Sequence, residues 1–284
     1  MKKSVIIISL VIIALVIAAC STVPLTGRRQ LNIIPTSTML SMSFQQYDDF
    51  VKTNKVAEKG SQAAMVERVG QKLAKAAEDY LIEKKLKSEI KNFDWEFKLI
   101  DSEEINAWCM PGGKIVVYTG ILPLTENEAG LAVVVGHEIA HALAKHGNER
   151  MSQGLMAQFG GMALAKAVEE KPEATQQMWM AAFGLGAQFG MMLPYSRLHE
   201  YEADELGLVL MTKAGYNPQE AVTFWERMSK MGGEKPPEFM STHPADDKRV
   251  ANLKKLQSKM EKYKPQNATT HHKKDEGGKD EDRR

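Results

Sequence analysis

The sequence predicts a mostly helical α+β domain with a small β-sheet or hairpin set beside one polar-marked helix. Three observations lead there. Apolar residues recur at helical spacing through most of residues 36–262. Period-two alternation is confined to the short stretch 93–118. The most apolar helix carries His137-Glu138-Ile139-Ala140-His141 after the lead-in Leu131-Ala132-Val133-Val134-Val135-Gly136. A chain of 284 residues with 43% hydrophobic content can bury a core without disulfide staples. With 37 Lys and Arg against 36 Asp and Glu, no basic excess points to nucleic acid. Two Cys exclude a disulfide scaffold and a thiolate-rich zinc ribbon.

Residues 1–19 read as a segment outside the fold. Lys2 and Lys3 precede Val5–Ala19, an apolar run broken only by Ser9. Fifteen helical residues reach about 22 Å, short of the roughly 30 Å hydrocarbon core, so a signal peptide is favoured over a span. Residues 20–35 then lead into the domain at 36–262. Residues 263–284 form a tail in which His271–Arg284 carries five acidic and five basic residues and no apolar face, so disorder is expected.

Within the domain a helix opens at Thr36, and a longer one is expected over 61–88 with Val69, Leu73, Ala76, Ala77 and Leu81 on its apolar face. Phe93 to Leu99 alternates as a half-buried strand. Asn106–Met110 and Lys114–Tyr118 flank Pro111-Gly112-Gly113, which reads as a hairpin. Thr125 and Glu128 fit a capping box opening a helix from about Glu126 through His146. From Met151 to Leu193 the chain is rich in Gly, Ala and Met, and two helices broken near Lys171-Pro172 are expected. Gln158, Lys166 and Gln188 interrupt their apolar runs, so neither reads as a span. A helix follows Ser196 and ends near Gly215, and Asn217-Pro218-Gln219-Glu220 starts the next. A loop through Gly232-Gly233 and Pro236-Pro237 reaches Ser241-Thr242-His243-Pro244, ahead of a last helix to about Lys262.

His137 and His141 differ by about 40° around a helix, so both imidazoles leave one face, a pairing suited to Zn²⁺. Glu138 sits roughly 60° from His141, beside the ion, where it can accept a proton from water. Burying two His and a Glu without metal or partners is costly. The third ligand is sought in His199-Glu200-Tyr201-Glu202-Ala203-Asp204-Glu205. Glu200 and Asp204 share a face, so one carboxylate can ligate while the other steadies a His ring; Glu202 and Glu205 point elsewhere, and His199 stays a minor alternative. His243 is read as structural, as an oxyanion donor, or as a fourth, inhibitory ligand. Arg249 is read as holding that loop. Cys109 is read as a small buried hydrophobe.

His-Glu-x-x-His followed some sixty residues later by Glu-x-x-x-Asp resembles the gluzincin metalloendopeptidases related to CAAX prenyl proteases and HtpX. Asn106-Ala107-Trp108, Pro111-Gly112-Gly113 and Ser241-Thr242-His243-Pro244 resemble further motifs of the soluble periplasmic branch, the BepA- and LoiP-like lipoproteins. Thr22–Leu31 is similar to the segment those proteins carry after their anchor. The resemblance implies a zincin-like metallopeptidase domain binding one Zn²⁺ through His137, His141 and Glu200, with Glu138 as general base and Asp204 beside the ligands. It also implies cleavage of unfolded or misassembled envelope proteins, with assembly machinery as a possible partner. An extended substrate would pair with an edge strand at Ile115, Val116 and Val117 or at Asn106–Met110. Ile17-Ala18-Ala19-Cys20 resembles a lipobox, which implies acylation of Cys20 and, with Ser21 next, a bacterial outer membrane facing the periplasm. The competing expectation is a chaperone-like assembly factor whose zinc is structural or seldom used.

Overall fold

The computed structural model describes residues 20–265 except 24, 232–236 and 245–246. The expected signal peptide at 1–19, the tail from 266 onward and the Gly232-Gly233 loop lie outside the described residues. Strand β1 (Cys20–Thr22) pairs antiparallel with β2 (Arg29–Leu31), Cys20 opposite Leu31. Gly27 at φ 72° and a Val23 N–H to Arg28 carbonyl bond of 2.7 Å close the ribbon. Val23 is buried in the main core, so this segment is a strap laid on the body. This second sheet was not foreseen, because three-residue strands carry no readable alternation.

Helix α1 (Thr36–Thr53) is followed by α2 (Ser61–Glu83). The latter stops five residues short of the expected Ser88. Lys85 adopts a left-handed φ of 62°, and the Leu86 and Lys85 amides donate back to Leu81 and Ile82 at 2.8 and 2.9 Å, a Schellman stop. A 3₁₀ turn (Lys87–Asn92) leads to β3 (Glu96–Ile100), β4 (Ala107–Met110) and β5 (Lys114–Tyr118). The order is β3-β5-β4, with β5 parallel to β3 and antiparallel to β4. The expected hairpin is therefore β4–β5. The expectation of an edge at Ile115, Val116 and Val117 is corrected: β5 is the central strand, buried at every position, and both its ladders are taken. Its continuous apolar run was the available sign of burial on both faces. Of the two outer strands, β3 is bridged at Ile100 by Val56 and β4 carries the other edge, and Asn106 stands one residue before β4 with its carbonyl accepting from the Tyr118 amide at 3.1 Å.

After a short helix α3 (Leu122–Thr125) comes α4 (Glu128–Leu143), almost wholly buried. Its cap is Asn127, whose side chain accepts from the Ala129 and Gly130 amides at 2.8 and 3.0 Å. The expected Thr125–Glu128 box is thus corrected: the Thr125 hydroxyl donates to the Leu122 carbonyl at 2.9 Å and Glu126 turns left-handed. Helix α4 also ends before His146, because Lys145 at φ 59° breaks the chain and opens α5 (His146–Val168). Helix α6 (Glu173–Ala187) folds back on α5 and runs through a π-helical turn (Gln188–Met192) into α7 (Leu193–Lys213). Pro194 is accommodated in the first turn of α7, so this helix starts before the expected Ser196. Helices α8 (Gln219–Lys230), α9 (Glu238–Thr242) and α10 (Asp247–Met260) complete the domain. Asn217 Oδ1 accepts the Gln219 amide at 3.1 Å, the expected cap. A final turn sets Tyr263 edge-on to Tyr80 at 5.9 Å.

Helix α4 is the hub, packed by α2, α7, α8 and β4. Where α4 and α7 cross, a Cβ on Gly207 would stand 3.1 Å from the His137 amide nitrogen, and one on Gly136 3.3 Å from the Gly207 carbonyl oxygen. Backbone cannot rotate aside, so the crossing tolerates little. The α5–α6 hairpin differs: α6 buries no residue, and Met162, Met178 and Trp179 are 61%, 60% and 50% exposed. Among the described residues no helix is long and apolar enough to cross a membrane. Replacing Gly207 by Val should cost about 1–3 kcal/mol of stability through overpacking, read by urea denaturation, with Gly154→Val (open space around its Cα) as the milder comparison.

Candidate metal centre

Helix α4 brings His137 and His141 to one face a single turn apart. Helix α7 supplies Glu200, and the residue after α9 is His243. All four are buried, and one donor atom from each lies within 4.8 Å of the others. His137 Nε2 is 3.0 Å from His141 Nε2, 3.2 Å from His243 Nδ1 and 3.2 Å from Glu200 Oε2. A ring nitrogen has one proton or one lone pair, so three such contacts cannot all be hydrogen bonds. A cation shared by the four donors reconciles them, and two to three imidazoles with a carboxylate are the donor set of divalent zinc-like sites.

Asp204, one turn beyond Glu200, places Oδ1 3.1 Å from His137 Nδ1. Arg249 grips Asp204 with Nε and Nη2 at 2.7 and 2.8 Å, and stacks 3.7 Å over Trp225. Its Nη1 donates to the Pro244 carbonyl at 3.1 Å and lies 3.1 Å from Glu200 Oε2. Arg249 thus holds the His243 loop, as expected, and the carboxylates too. Burial raises the Asp204 carboxyl, but the Arg249 charge prevails and holds it below its usual range. Burial likewise opposes charge on Glu200, yet His141 and His137 hold it far below the carboxylate range. Burial disfavours a charged His137, but its Asp204 and Glu200 bonds prevail and push it up to about 9. Burial drives His141 well down.

Glu138 is buried beside this group, 3.4 Å from His243 Nε2, and its Oε1 has no hydrogen-bond partner. Cys109, half-buried on β4, is pushed up by burial and then by the nearby Glu138 charge, as suits an inert thiol.

A second polar cluster escaped the sequence reading. His141 Nδ1 lies 2.8 Å from His146 Nδ1, and His146 Nε2 lies 3.0 Å from Glu202 Oε2. Glu202 does point away from the donor group, but into this buried cluster rather than solvent. His199 is not among the four donors: its Nε2 is 2.8 Å from Glu149 and its ring stacks on His146 at 4.2 Å. Arg28 of the strap joins the two carboxylates, 2.8 Å from Glu202 and 2.7 and 3.0 Å from Glu149. Burial opposes the Glu202 charge, but its bonds from His146, Thr26 and Arg28 bring it to about 2. No sequence sign marked this cluster, because the helix was expected to run through His146, and the left-handed Lys145 swings His146 off the line of α4.

The model for peptidase family M48 matches residues 61–257, a span holding both ligand helices and the His243 loop. The chain belongs to peptidase family M48. It is 37% identical over 162 residues to the mitochondrial metalloendopeptidase OMA1 of Arabidopsis thaliana, covering 57% of this chain and 31% of that one. It is 30% identical over 244 residues to the mitochondrial metalloendopeptidase OMA1 of Homo sapiens, covering 82% and 45%. The β-barrel assembly-enhancing protease of Escherichia coli is 27% identical over 187 residues, covering 58% and 35%. The chain therefore spans about a third to a half of these relatives. The expected place at a bacterial outer membrane facing the periplasm is corrected, because the relatives matched at 30–37% identity are mitochondrial enzymes and the bacterial one matches more weakly.

In this M48 chain Arg249 is 2% exposed and faces two buried carboxylates. Arg249→Ala should lower stability by about 3–5 kcal/mol, the cost of stranding buried charge, as measured by denaturant unfolding.

Proposed function

We propose that the chain is a zinc-dependent endopeptidase acting on unfolded or misassembled proteins, with His137, His141 and Glu200 holding the ion and Glu138 as general base. The observation that carries it is the pairing of a buried four-donor ring with a buried carboxylate, Glu138, whose Oε1 makes no hydrogen bond. A structural metal site needs no such idle acid at its side. Bound zinc would supply Lewis-acid chemistry, polarising a carbonyl and acidifying water. Glu138 Oε1 takes the proton of the attacking water and returns it to the leaving amine nitrogen. Asp204, itself gripped by Arg249, accepts the His137 Nδ1 proton and so turns Nε2 toward the ion.

His243 is the fourth donor. A catalytic zinc keeps a position open, so the loop after α9 must withdraw His243 before a substrate carbonyl enters. An extended substrate then lies along the β4 edge, where Trp108, Cys109 and Met110 are half-buried and backbone pairing makes recognition tolerant of sequence. The Met-rich α5–α6 hairpin, linked in sequence between the two ligand helices, supports apolar, unfolded clients, since Met surfaces adapt to varied partners. The apolar run Val5–Ala19 ahead of Cys20 supports a membrane tether on the N-terminal side, with Cys20 as its acylation candidate.

At equal zinc loading, Glu138→Gln should cut casein hydrolysis by about 10²–10⁴-fold. Equal rates, or none from either protein, would instead favour a non-hydrolytic client-binding module. Serine at Phe159, Met178 and Trp179 together should slow cleavage of unfolded casein more than cleavage of a short soluble peptide. Zinc content should not change; a uniform loss on both substrates would exclude the hairpin from client capture.

A further inference from the structure

The strap and the donor ring are joined by an unbroken polar chain that the proposed chemistry does not use. His141 directs Nε2 into the donor ring, so its Nδ1 carries the proton. That proton has one acceptor in reach, His146 Nδ1 at 2.8 Å. His146 must then hold its own proton on Nε2, which donates to Glu202 Oε2 at 3.0 Å. Glu202 in turn accepts from Thr26 and from Arg28, and Arg28 reaches across to Glu149, the carboxylate bound by His199. His146 is fully buried and Glu202 and Glu149 nearly so, whereas the Arg28 side chain keeps 16% of its surface in solvent.

The direction of each bond follows from these contacts. Without Arg28 the Glu202 carboxylate is free to turn from His146, and the Nε2–H form of His146 loses the fixed acceptor that holds it. In the other tautomer two N–H groups would face each other at 2.8 Å, and the His141 ring would have to turn. A ligand histidine held through its second nitrogen is aimed and made more basic by that bond, and loss of the partner costs about 10–100-fold in metal affinity. His137 donates such a bond to Asp204 within its own helix pair. His141 donates to His146, which is held in turn by way of Glu202 from a residue more than a hundred positions away, on a two-stranded ribbon that begins at Cys20.

We propose that Arg28 is a positioning residue for the metal centre, acting through Glu202 and His146 on His141. The strap thereby completes the site from outside the helical body, and lifting it loosens the ion. This rests on the donor ring binding a divalent ion, but not on peptide hydrolysis.

The test uses the full chain stripped of metal, with Zn²⁺ titrated against a competing chelator and Co²⁺ added as a spectroscopic probe. Arg28→Ala should weaken Zn²⁺ by about 10–100-fold and shift the visible Co²⁺ bands. His146→Leu should do the same, and His146→Asn, which restores an acceptor oxygen, should recover part of the affinity. In the His146→Leu background Arg28→Ala should weaken the ion no further, since the route is already cut. Glu202→Gln keeps the shape, removes the charge and offers a second such background should His146→Leu not fold. Melting of the apo forms separates loss of fold from loss of aim. Unchanged Co²⁺ bands and Zn²⁺ affinity in Arg28→Ala, or an equal loss in both backgrounds, would overturn the proposal. A wild-type chain that binds no ion would refute the metal reading itself, whereas indifference to Arg28 in a chain that binds zinc and cleaves casein would sink only this relay.

Discussion

The crossing of α4 and α7 is the constraint on which the rest depends. Two helices meet with backbone against backbone only where side chains are absent, and here Gly136 and Gly207 face each other. That closeness sets His137 beside Glu200 and Asp204, which no longer-range pairing would achieve. It also forces polar side chains into a buried region. Each then needs a partner, because an unpaired buried polar group costs about as much as a marginal domain can spare.

Those partners fall on two sides of the histidine pair. On one side Asp204 and Arg249 steady His137 and tie in the Pro244 loop. On the other side His146 and Glu202 meet His141, with Arg28 as counterion. Each histidine is thus held through its second nitrogen, and each chain of contacts ends on an arginine that also fastens a peripheral segment, the loop after a five-residue helix or the two-strand strap. The metal centre is therefore sensitive to segments that contribute no donor. Glu138 stands beside the donors as a buried carboxylate whose Oε1 makes no hydrogen bond.

The two ends of the domain are built on different physics. Helix α4 buries nearly every residue, whereas α6 buries none. The hairpin α5–α6 lies between the ligand helices in sequence yet exposes Met, Phe and Trp side chains outward. Its separation from the tightly packed core lets this exposed surface vary without disturbing the donor ring.

Much of this was legible in the sequence. His137, Glu138 and His141 follow from helical period alone, because a helix converts a spacing of four into a shared face. The same rule puts Glu200 and Asp204 on one face, though which of them faces the donors came only from the resemblance, and the pairing of β4 with β5 follows from Pro111-Gly112-Gly113. What the sequence could not decide were matters of long-range geometry. Which strand lay central, so that β4 and not Ile115–Val117 carries an edge, depends on the return of β3 to β5. The joining of His243 to the donors depends on a loop more than a hundred residues from His137. Arg28 entered only within the Thr22–Leu31 segment, His146 read as a helix end and Glu202 as a carboxylate pointing elsewhere, and the three became one buried relay only when Lys145 turned left-handed and the strap closed over it. Periodicity is local and survives in sequence, while the pairing of buried charges is set by which elements the core brings together.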